Sequence, residues 1–174
     1  MTLDLLAFDS EELYFDEPID TEAKACLERA AQEYGTEGAE GSLQRAYFLE
    51  PEHPMVLVAL YRFYYYQHRL KESLLVAERV LKVIGKRLEF PEDWRDLSVP
   101  GIGSGVMISM TMIRFYMLAL KGAGYLELRL GRYKPALERL EKVAELDAKD
   151  RLGTQALLTV VRDALSQESG VTTH

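Results

Sequence analysis

Apolar residues recur every three or four positions through the long stretches between the prolines. In residues 130–150 they fall on one helical face and the acidic residues on another: Tyr133, Ala136, Leu140 and Val143 against Glu138, Glu141 and Glu145. The terminal stretch 150–167 keeps the same spacing through Leu152, Leu157, Leu158, Val161 and Leu165. Val and Ile do not alternate with polar residues over any long run. The pattern therefore predicts an all-α protein without strands.

Proline positions and composition agree with this prediction. Five prolines stand beside predicted helix ends, and the intervals between them are rich in Ala, Leu, Glu, Lys and Arg: Pro51, Pro54, Pro91, Pro100 and Pro135. Pro54 is expected in a first helical turn, with His53 before it as the cap region. A chain of 174 residues that is 48% hydrophobic can form one domain with a substantial core.

The helical segments repeat along the chain. Residues 130–150 align with 68–87, and a further copy aligns 34 residues before the second. The aligned positions are Tyr133 with Leu70, Ala136 with Ser73 and Ala39, Leu140 with Ala77 and Leu43, and Val143 with Val80 and Ala46. A helix pair is too thin to bury its own apolar face, so neighbouring pairs are expected to stack.

These segments resemble the tetratricopeptide repeat family, whose unit of about 34 residues is a pair of antiparallel helices. The best match is GAGYLELRLGRYKPALERLEKVAELDAKD, with small Gly124 where the helices meet and Gly131 at the turn. The middle copy keeps Leu57, Leu60, Tyr64, Leu70 and Ser73 but has Tyr61 at the small position, and the first keeps Ala39, Ala46 and Pro51. The resemblance implies a right-handed helical-repeat solenoid of about three helix pairs.

The resemblance also divides the chain, which is expected to form a single domain. The expected parts are an acidic, aromatic N-terminal segment (1–19), repeat one (20–53), repeat two (54–87), an insertion with a helix extension (88–116), repeat three (117–150), a capping helix (151–167) and a tail (168–174). Ser73 and Ala136 are 63 residues apart, which places the insertion between the last two repeats. Its first part, Leu88 to Gly105, is expected to be a long loop, and its second part to begin a helix near Ser104.

In this family the first helix of each pair lines a concave groove. Carried over by position, the resemblance proposes Lys24, Glu28 and Gln32, then Met55, Val58, Arg62, Tyr65 and Tyr66, then Leu118, Lys121, Tyr125, Leu128 and Arg129. Four of these positions are basic and one is acidic. Such a groove would suit a peptide that carries carboxylates or aromatic side chains.

The aromatic run YRFYYYQHRLKES is divided by this assignment. Tyr61 and Tyr64 fall at packing positions of the helix pair, and Phe63 is expected in the core. Tyr65 and Tyr66 fall on the groove side. The run is therefore interpreted as part core and part binding surface.

The net charge of the chain lies in its N-terminal segment. Residues 1–20 contain seven Asp and Glu residues and no Lys or Arg, which matches the formal net charge of -7 for the whole chain. Apolar side chains are interleaved with them: Leu3, Leu5, Leu6, Phe8, Leu13, Tyr14 and Phe15. One hypothesis is that this segment occupies the groove of its own chain or of a neighbouring subunit. The alternative is a helix or tail that packs elsewhere and aids solubility.

A methionine-rich stretch follows the insertion. Met107, Met110, Met112 and Met117 stand among other apolar residues, and methionine adapts to irregular partners. Packing within the core is one interpretation. The other is a helix that projects past the stack and that a homodimer would bury. The insertion, Leu88 to Gly105, is expected to form a second contact surface, with Trp94, Met107 and Met110 as its candidate residues.

Catalytic and metal-binding patterns are weak. The single Cys26 excludes an internal disulfide, and His53, His68 and His174 lack the spacing of a metal site. The glycine-rich stretch Pro100 to Gly105 lacks the lysine of a P-loop. No cofactor, no metal and no enzymatic activity are expected, and an enzyme that uses this glycine-rich stretch is a remote alternative.

The segment Val106 to Leu126 is long enough to cross a bilayer but carries Arg114 and Lys121, so a buried helix is predicted instead. The N-terminal residues lack the features of a signal peptide, which makes the cytoplasm the expected compartment. The acidic balance argues against nucleic acid as a partner.

The sequence thus predicts a non-enzymatic protein-protein interaction module, an adaptor or chaperone-like assembly factor that binds a protein or peptide in its groove. The alternative is a structural, self-associating dimer whose N-terminal segment fills its own groove.

Overall fold

The computed structural model describes residues 15–171, and within them the chain forms eight α-helices and no strand. The helices are α1 (Thr21–Gln32), α2 (Glu37–Leu49), α3 (Pro54–Tyr66), α4 (Leu70–Arg87), α5 (Val99–Val106), α6 (Met110–Arg129), α7 (Tyr133–Leu146) and α8 (Thr154–Val171), with a 3-10 turn at Trp94–Asp96. The prediction of an all-α protein is confirmed.

Side chains that precede α1 and α3 satisfy backbone N–H groups of the first turns of these two helices. Asp20 Oδ1 accepts from the N–H groups of Glu22 and Ala23 at 2.9 and 3.1 Å. His53 Nδ1 accepts from Met55 N–H at 3.1 Å, with Pro54 in the first turn as predicted. Because these caps are local in the sequence, they fix where each helix begins.

The turns that end α3 and α6 have the same hydrogen bond at equivalent positions, which lie 63 residues apart like the aligned Ser73 and Ala136. Arg69 N–H donates to the carbonyl of Tyr64, and Arg132 N–H donates to that of Glu127, both at 2.9 Å. The residue before each donor has a positive φ, 57° at His68 and 76° at Gly131. A residue in the left-handed conformation thus terminates each helix. Glycine adopts this conformation without the steric cost that a histidine bears.

The described residues form two compact units, 15–76 and 77–171, with the boundary inside α4. The predicted single domain stays a prediction, and each unit is described by itself. In the first unit, α1 packs against α2 and α2 against α3. Small buried residues allow the close approach of the helices in a core made of Cys26, Ala30, Ala39, Leu43, Ala46, Val56, Leu60, Phe63 and Tyr64.

An ion pair links the turn after α3 to α2 within this first unit. The Arg69 guanidinium donates to Glu40 Oε2 at 2.7 Å and lies over the Tyr64 ring, 4.8 Å from its centroid. The bond to Glu40 raises the pKa of Arg69. Both side chains are partly exposed, so the pair fixes geometry more than it adds stability.

In the second unit, α7 packs between α6 and α8. The core around α7 contains Ala136, Leu140, Leu158 and Val161. Gly124 of α6 faces Leu140 of α7, and a Cβ added there would lie 2.9 Å from Leu140 Cγ. The small residue predicted at the meeting point of two helices is therefore required by the distance between them.

The insertion differs from the predicted long loop. Residues 99–106 form α5, whose first turn contains Pro100 and is capped by Ser98 Oγ, which accepts from Gly101 N–H at 3.4 Å. The next helix begins at Met110 rather than near Ser104, because Ser109 Oγ caps it by accepting from Met112 N–H at 3.2 Å. The glycine-rich stretch is thus helical, and a break separates it from α6.

The first part of the insertion is attached to α7. Arg95 forms an ion pair with Glu138, and Lys142 Nζ donates to the carbonyl of Leu97 at 3.0 Å. Trp94 is buried, with the Arg139 guanidinium 5.4 Å from its ring centroid. Trp94 therefore does not belong to an open contact surface, and that expectation is corrected.

The C-terminal helix is shifted toward the C-terminus relative to the prediction. It begins at Thr154 rather than at residue 151 and continues to Val171, beyond the predicted end at residue 167 and through most of the expected tail. The N-terminal segment expected at 1–19 falls largely on residues 1–14, outside the described residues. In the part of the chain that the structure describes, no helix combines the length and the apolar character needed to cross a membrane.

The close contact at Gly124 generates a prediction about stability. Gly124→Leu should lower the free energy of unfolding by about 1 to 3 kcal/mol, because the new side chain must displace Leu140. The matched control is Gly41→Ala, in α2, where an added Cβ meets nothing within 4 Å. This control should leave stability unchanged or raise it by up to about 1 kcal/mol, since alanine favours helix. Urea unfolding followed by circular dichroism measures both, and equal midpoints for the Gly124 variant and the wild type would contradict the packing.

Candidate functional site

An open cleft of about 310 Å³ lies in the first unit, largely between α1 and α3. Both helices are first members of the helix pairs predicted from the sequence. The lining residues are Leu27, Ala30, Ala31, Tyr34, Leu43, Ala59, Arg62, Phe63 and Tyr66. We call this the α1–α3 cleft.

Small side chains on facing helices create the space in this cleft. Ala30 on α1 is buried and Ala59 on α3 is half-buried, and their small side chains leave open space between the helices. Ala31 is exposed beside them, and Tyr34 and Tyr66 stand at the edge of the cleft with 53% and 47% of their surface exposed. Tyr34 meets buried Phe63 edge to face, with ring centroids 6.3 Å apart. The cleft therefore offers an apolar floor between exposed aromatic side chains, a surface typical of ligand-binding sites.

Arg62 provides the one charged side chain among the described residues that line this cleft. It is half-buried on α3, one helical turn before Tyr66. Because a partly desolvated guanidinium binds carboxylates through two parallel hydrogen bonds, it adds a preference for acidic groups to an otherwise apolar surface.

The structure places the predicted groove residues of the first unit in different surroundings. Arg62 and Tyr66 line the cleft. Lys24 and Glu28 are exposed on α1, Met55 is exposed on α3 and Val58 is half-buried there, and none of these four lines the cleft. The cleft includes residues that the repeat positions did not propose, namely Leu27, Ala30, Ala31, Tyr34 and Ala59. The run of small residues on α1 was the only sequence signal, and it pointed to Ala30 and Ala31.

The aromatic run divides as predicted at most of its positions. Tyr61, Phe63 and Tyr64 are buried, and Tyr66 is exposed. Tyr65 is half-buried and stacks on Tyr61 with ring centroids 6.3 Å apart and an interplanar angle of 8°. The packing prediction is confirmed for the three buried residues, and Tyr65 supports the core ring beside it.

Five of the predicted groove residues lie on α6 of the second unit, namely Leu118, Lys121, Tyr125, Leu128 and Arg129. Tyr125 and Arg129 form a pair, since Arg129 Nη1 donates to the Tyr125 hydroxyl at 3.0 Å. Lys121 is 3% exposed, and its Nζ donates to the carbonyl of Leu152. The prediction for Lys121 is wrong, because a buried ammonium group cannot meet a peptide at an open surface.

Burial lowers the pKa of Lys121 to about 8, and the carboxylates of Asp150 and Asp147 partly oppose this shift. The side chain joins α6 to the loop between α7 and α8, which holds Leu152. Its role is therefore structural, with an ammonium group that is costly to keep charged in this position.

The two remaining candidates for a second surface, Met107 and Met110, are exposed. Met107 lies in the break between α5 and α6, and Met110 begins α6. Met117, further along α6, is buried. The methionine stretch is thus core at one end and surface at the other.

Possible metal ligands are not clustered in the part of the chain that the structure describes. No group of three or more His, Cys, Asp or Glu side chains is placed there to hold a metal ion. Cys26 is buried in the core of the first unit. Within the glycine-rich stretch, Ile102 N–H donates to the carbonyl of Ser98.

Comparison with known proteins gives one informative match. The chain is 45% identical over 161 residues to an uncharacterized 19.8 kDa protein in the nifW 5' region of Azotobacter chroococcum mcd 1. The alignment covers 92% of this chain and 90% of that protein. No family model matches the chain. No solved structure matches it either.

The buried Lys121 predicts a specific pH dependence of stability. Between the folded pKa of about 8 and the unfolded value near 10.4, the unfolded chain binds a proton that the folded chain has released. The free energy of unfolding should therefore rise with pH in this window, relative to a Lys121→Met variant. We expect this difference to grow by about 1 kcal/mol from about pH 7 to about pH 9.

Urea unfolding at a series of pH values measures the difference. The control is Lys82→Met on an exposed position of α4, for which the difference from wild type should stay constant. A pH-independent difference for Lys121→Met would show that the side chain is more solvated than the structure has it.

Proposed function

The chain belongs to the same family as that uncharacterized 19.8 kDa protein of Azotobacter chroococcum, and we propose that it is a non-enzymatic protein-protein interaction module. The α1–α3 cleft is the observation that carries this proposal. Its apolar floor, its exposed tyrosines and its single guanidinium suit a peptide segment.

A tetratricopeptide-like repeat architecture is part of the proposal. The matching hydrogen bonds after α3 and α6 support it, as does the left-handed residue at each turn. The close approach at Gly124 supports it as well. In such a scaffold the first helices of the pairs present the binding surface, and in the proposed arrangement these are α1 and α3 of the first unit.

The chemistry of the cleft defines the peptide that it would bind. A volume of about 310 Å³ accommodates one or two large side chains, and the tyrosine edges favour an aromatic or branched apolar residue. A carboxylate beside that residue would pair with Arg62. The peptide is therefore a short segment with an apolar anchor and an acidic neighbour.

An adaptor or a chaperone-like assembly factor would use such a cleft to hold a partner protein. The relative is described by its position in the 5' region of nifW. The nifW product is therefore a first protein to test as a partner.

Selection from a displayed peptide library on the immobilised full-length chain tests the proposal. Recovered peptides should combine an aromatic residue with Asp or Glu. Their affinity, measured by fluorescence polarisation, should fall about tenfold in Arg62→Glu through loss of a charge-assisted hydrogen bond. Ala31→Phe should also weaken binding, because the larger side chain occupies part of the cleft volume.

The matched control is Lys71→Glu, a charge reversal at an exposed position of α4 in the same unit. It should leave the affinity unchanged, apart from the small effect of net charge. If selected peptides bind equally well to Arg62→Glu and Ala31→Phe, the cleft is not the binding site and the proposal fails.

A further inference from the structure

A patch of exposed apolar side chains lies where α5 meets α6. Met107 is 88% exposed, and Val106, Ile108 and Met110 are exposed around it. Single exposed apolar residues are ordinary, but a contiguous group usually marks a contact surface. The patch lies wholly in the second unit.

A larger cleft, of about 620 Å³, adjoins this patch and shares Met110 with it. It lies between α5, the first half of α6 and the α7–α8 loop. The lining residues are Ile102, Met110, Ile113, Arg114, Met117, Leu118, Leu146, Asp147, Arg151 and Leu152. We call this the α5–α8 cleft.

The charge that this cleft offers to an occupant is positive. Arg114 and Arg151 are exposed at its lining. Asp147 faces inward to its own loop, since Oδ1 accepts from Arg151 N–H at 3.1 Å and Oδ2 accepts from Leu152 N–H at 2.9 Å. Its negative charge is therefore partly compensated by backbone dipoles.

The wall formed by the α7–α8 loop is held in place before anything binds. Lys121 Nζ donates to the carbonyl of Leu152, and Asp150 Oδ1 accepts from Gln155 N–H at 3.2 Å. A wall that is already ordered costs little conformational entropy when a ligand binds. The cleft is thus a preformed apolar site with basic side chains.

The N-terminal residues of this chain have the complementary composition. Residues 1–14 contain Leu3, Leu5, Leu6, Phe8, Leu13 and Tyr14 together with Asp4, Asp9, Glu11 and Glu12, and no Lys or Arg. Apolar side chains that alternate with carboxylates match an apolar cleft that carries two guanidinium groups. A purely solvating acidic tail would have no use for so many large apolar residues.

We propose that residues 1–14 bind in the α5–α8 cleft of their own chain and cover the apolar patch at Met107 and Met110. The carboxylates of the segment pair with Arg114 and Arg151, and its leucines and Phe8 fill the apolar lining. The proposal goes beyond the peptide-binding function, because it concerns a different cleft and an occupant supplied by the protein itself.

Photocrosslinking in the full-length chain tests the proposal. A diazirine-bearing amino acid replaces Leu5, and crosslinked peptides are mapped by mass spectrometry. Crosslinks are expected to the cleft-lining residues between Met110 and Leu118 or to the loop at Leu152. In an equal mixture of light and nitrogen-15-labelled protein, they should join peptides of the same isotopic label, because the segment and the cleft belong to one chain.

Charge reversal provides the specificity test. Arg114→Glu with Arg151→Glu should lower the yield of these crosslinks about fivefold, as expected for two partly exposed ion pairs. Adding Asp4→Arg and Asp9→Arg to this double variant should restore the yield. Lys82→Glu with Lys86→Glu, two exposed positions of α4 in the same unit, is the matched control and should leave it unchanged.

Three results would overturn the proposal: crosslinks to the α1–α3 cleft at Tyr34 or Tyr66, crosslinks only between differently labelled chains, or none to the lining of the α5–α8 cleft. The second result would indicate a dimer that exchanges its N-terminal segments. Because the wild-type crosslinks are mapped without the charge variants, a variant that fails to fold does not leave the question open.

Discussion

Close approach of paired helices, permitted by small residues at the points of contact, is the constraint on which both units depend. In the first unit Ala39 and Ala46 are buried without exposed surface in the core that α1 to α3 share. In the second, Gly124 brings α6 against Leu140 of α7 so closely that even a methyl group would collide. Helices this close bury their facing side chains well, but a pair alone remains thin, and its outer faces stay available for other contacts.

The α1–α3 cleft follows from this way of packing. Small residues on α1 and α3 leave open space in the α1–α3 cleft, and exposed tyrosines stand at its edge. The α5–α8 cleft has another origin. The helical insertion places α5 beside α6, and the break at 107–109 leaves apolar residues exposed at one end of the opening.

Buried charged groups fix the arrangement of the irregular parts of the second unit. Lys121 holds the α7–α8 loop through the carbonyl of Leu152, at the cost of a lowered pKa. Arg139 Nη2 donates to Glu78 Oε1 at 2.8 Å and lies 3.8 Å from Glu127 Oε1, and its guanidinium covers the buried Trp94. Such groups add little net stability, but removing one partner would leave a buried charge alone, so they favour one arrangement of loop and insertion.

The sequence by itself determined most of the helices, the turn at Gly131 and the small residue at Gly124, because periodicity, capping and backbone sterics act within a few residues. It also separated Tyr66 from the buried aromatic residues of α3. Only the tertiary structure decided that Lys121 and Trp94 are buried, that α5 and α6 are separate helices, and that alanines of α1 form part of a cleft. Those outcomes depend on partners such as Leu152 and Glu138, which lie 31 and 43 residues from Lys121 and Arg95, and no local pattern specifies which distant groups will meet.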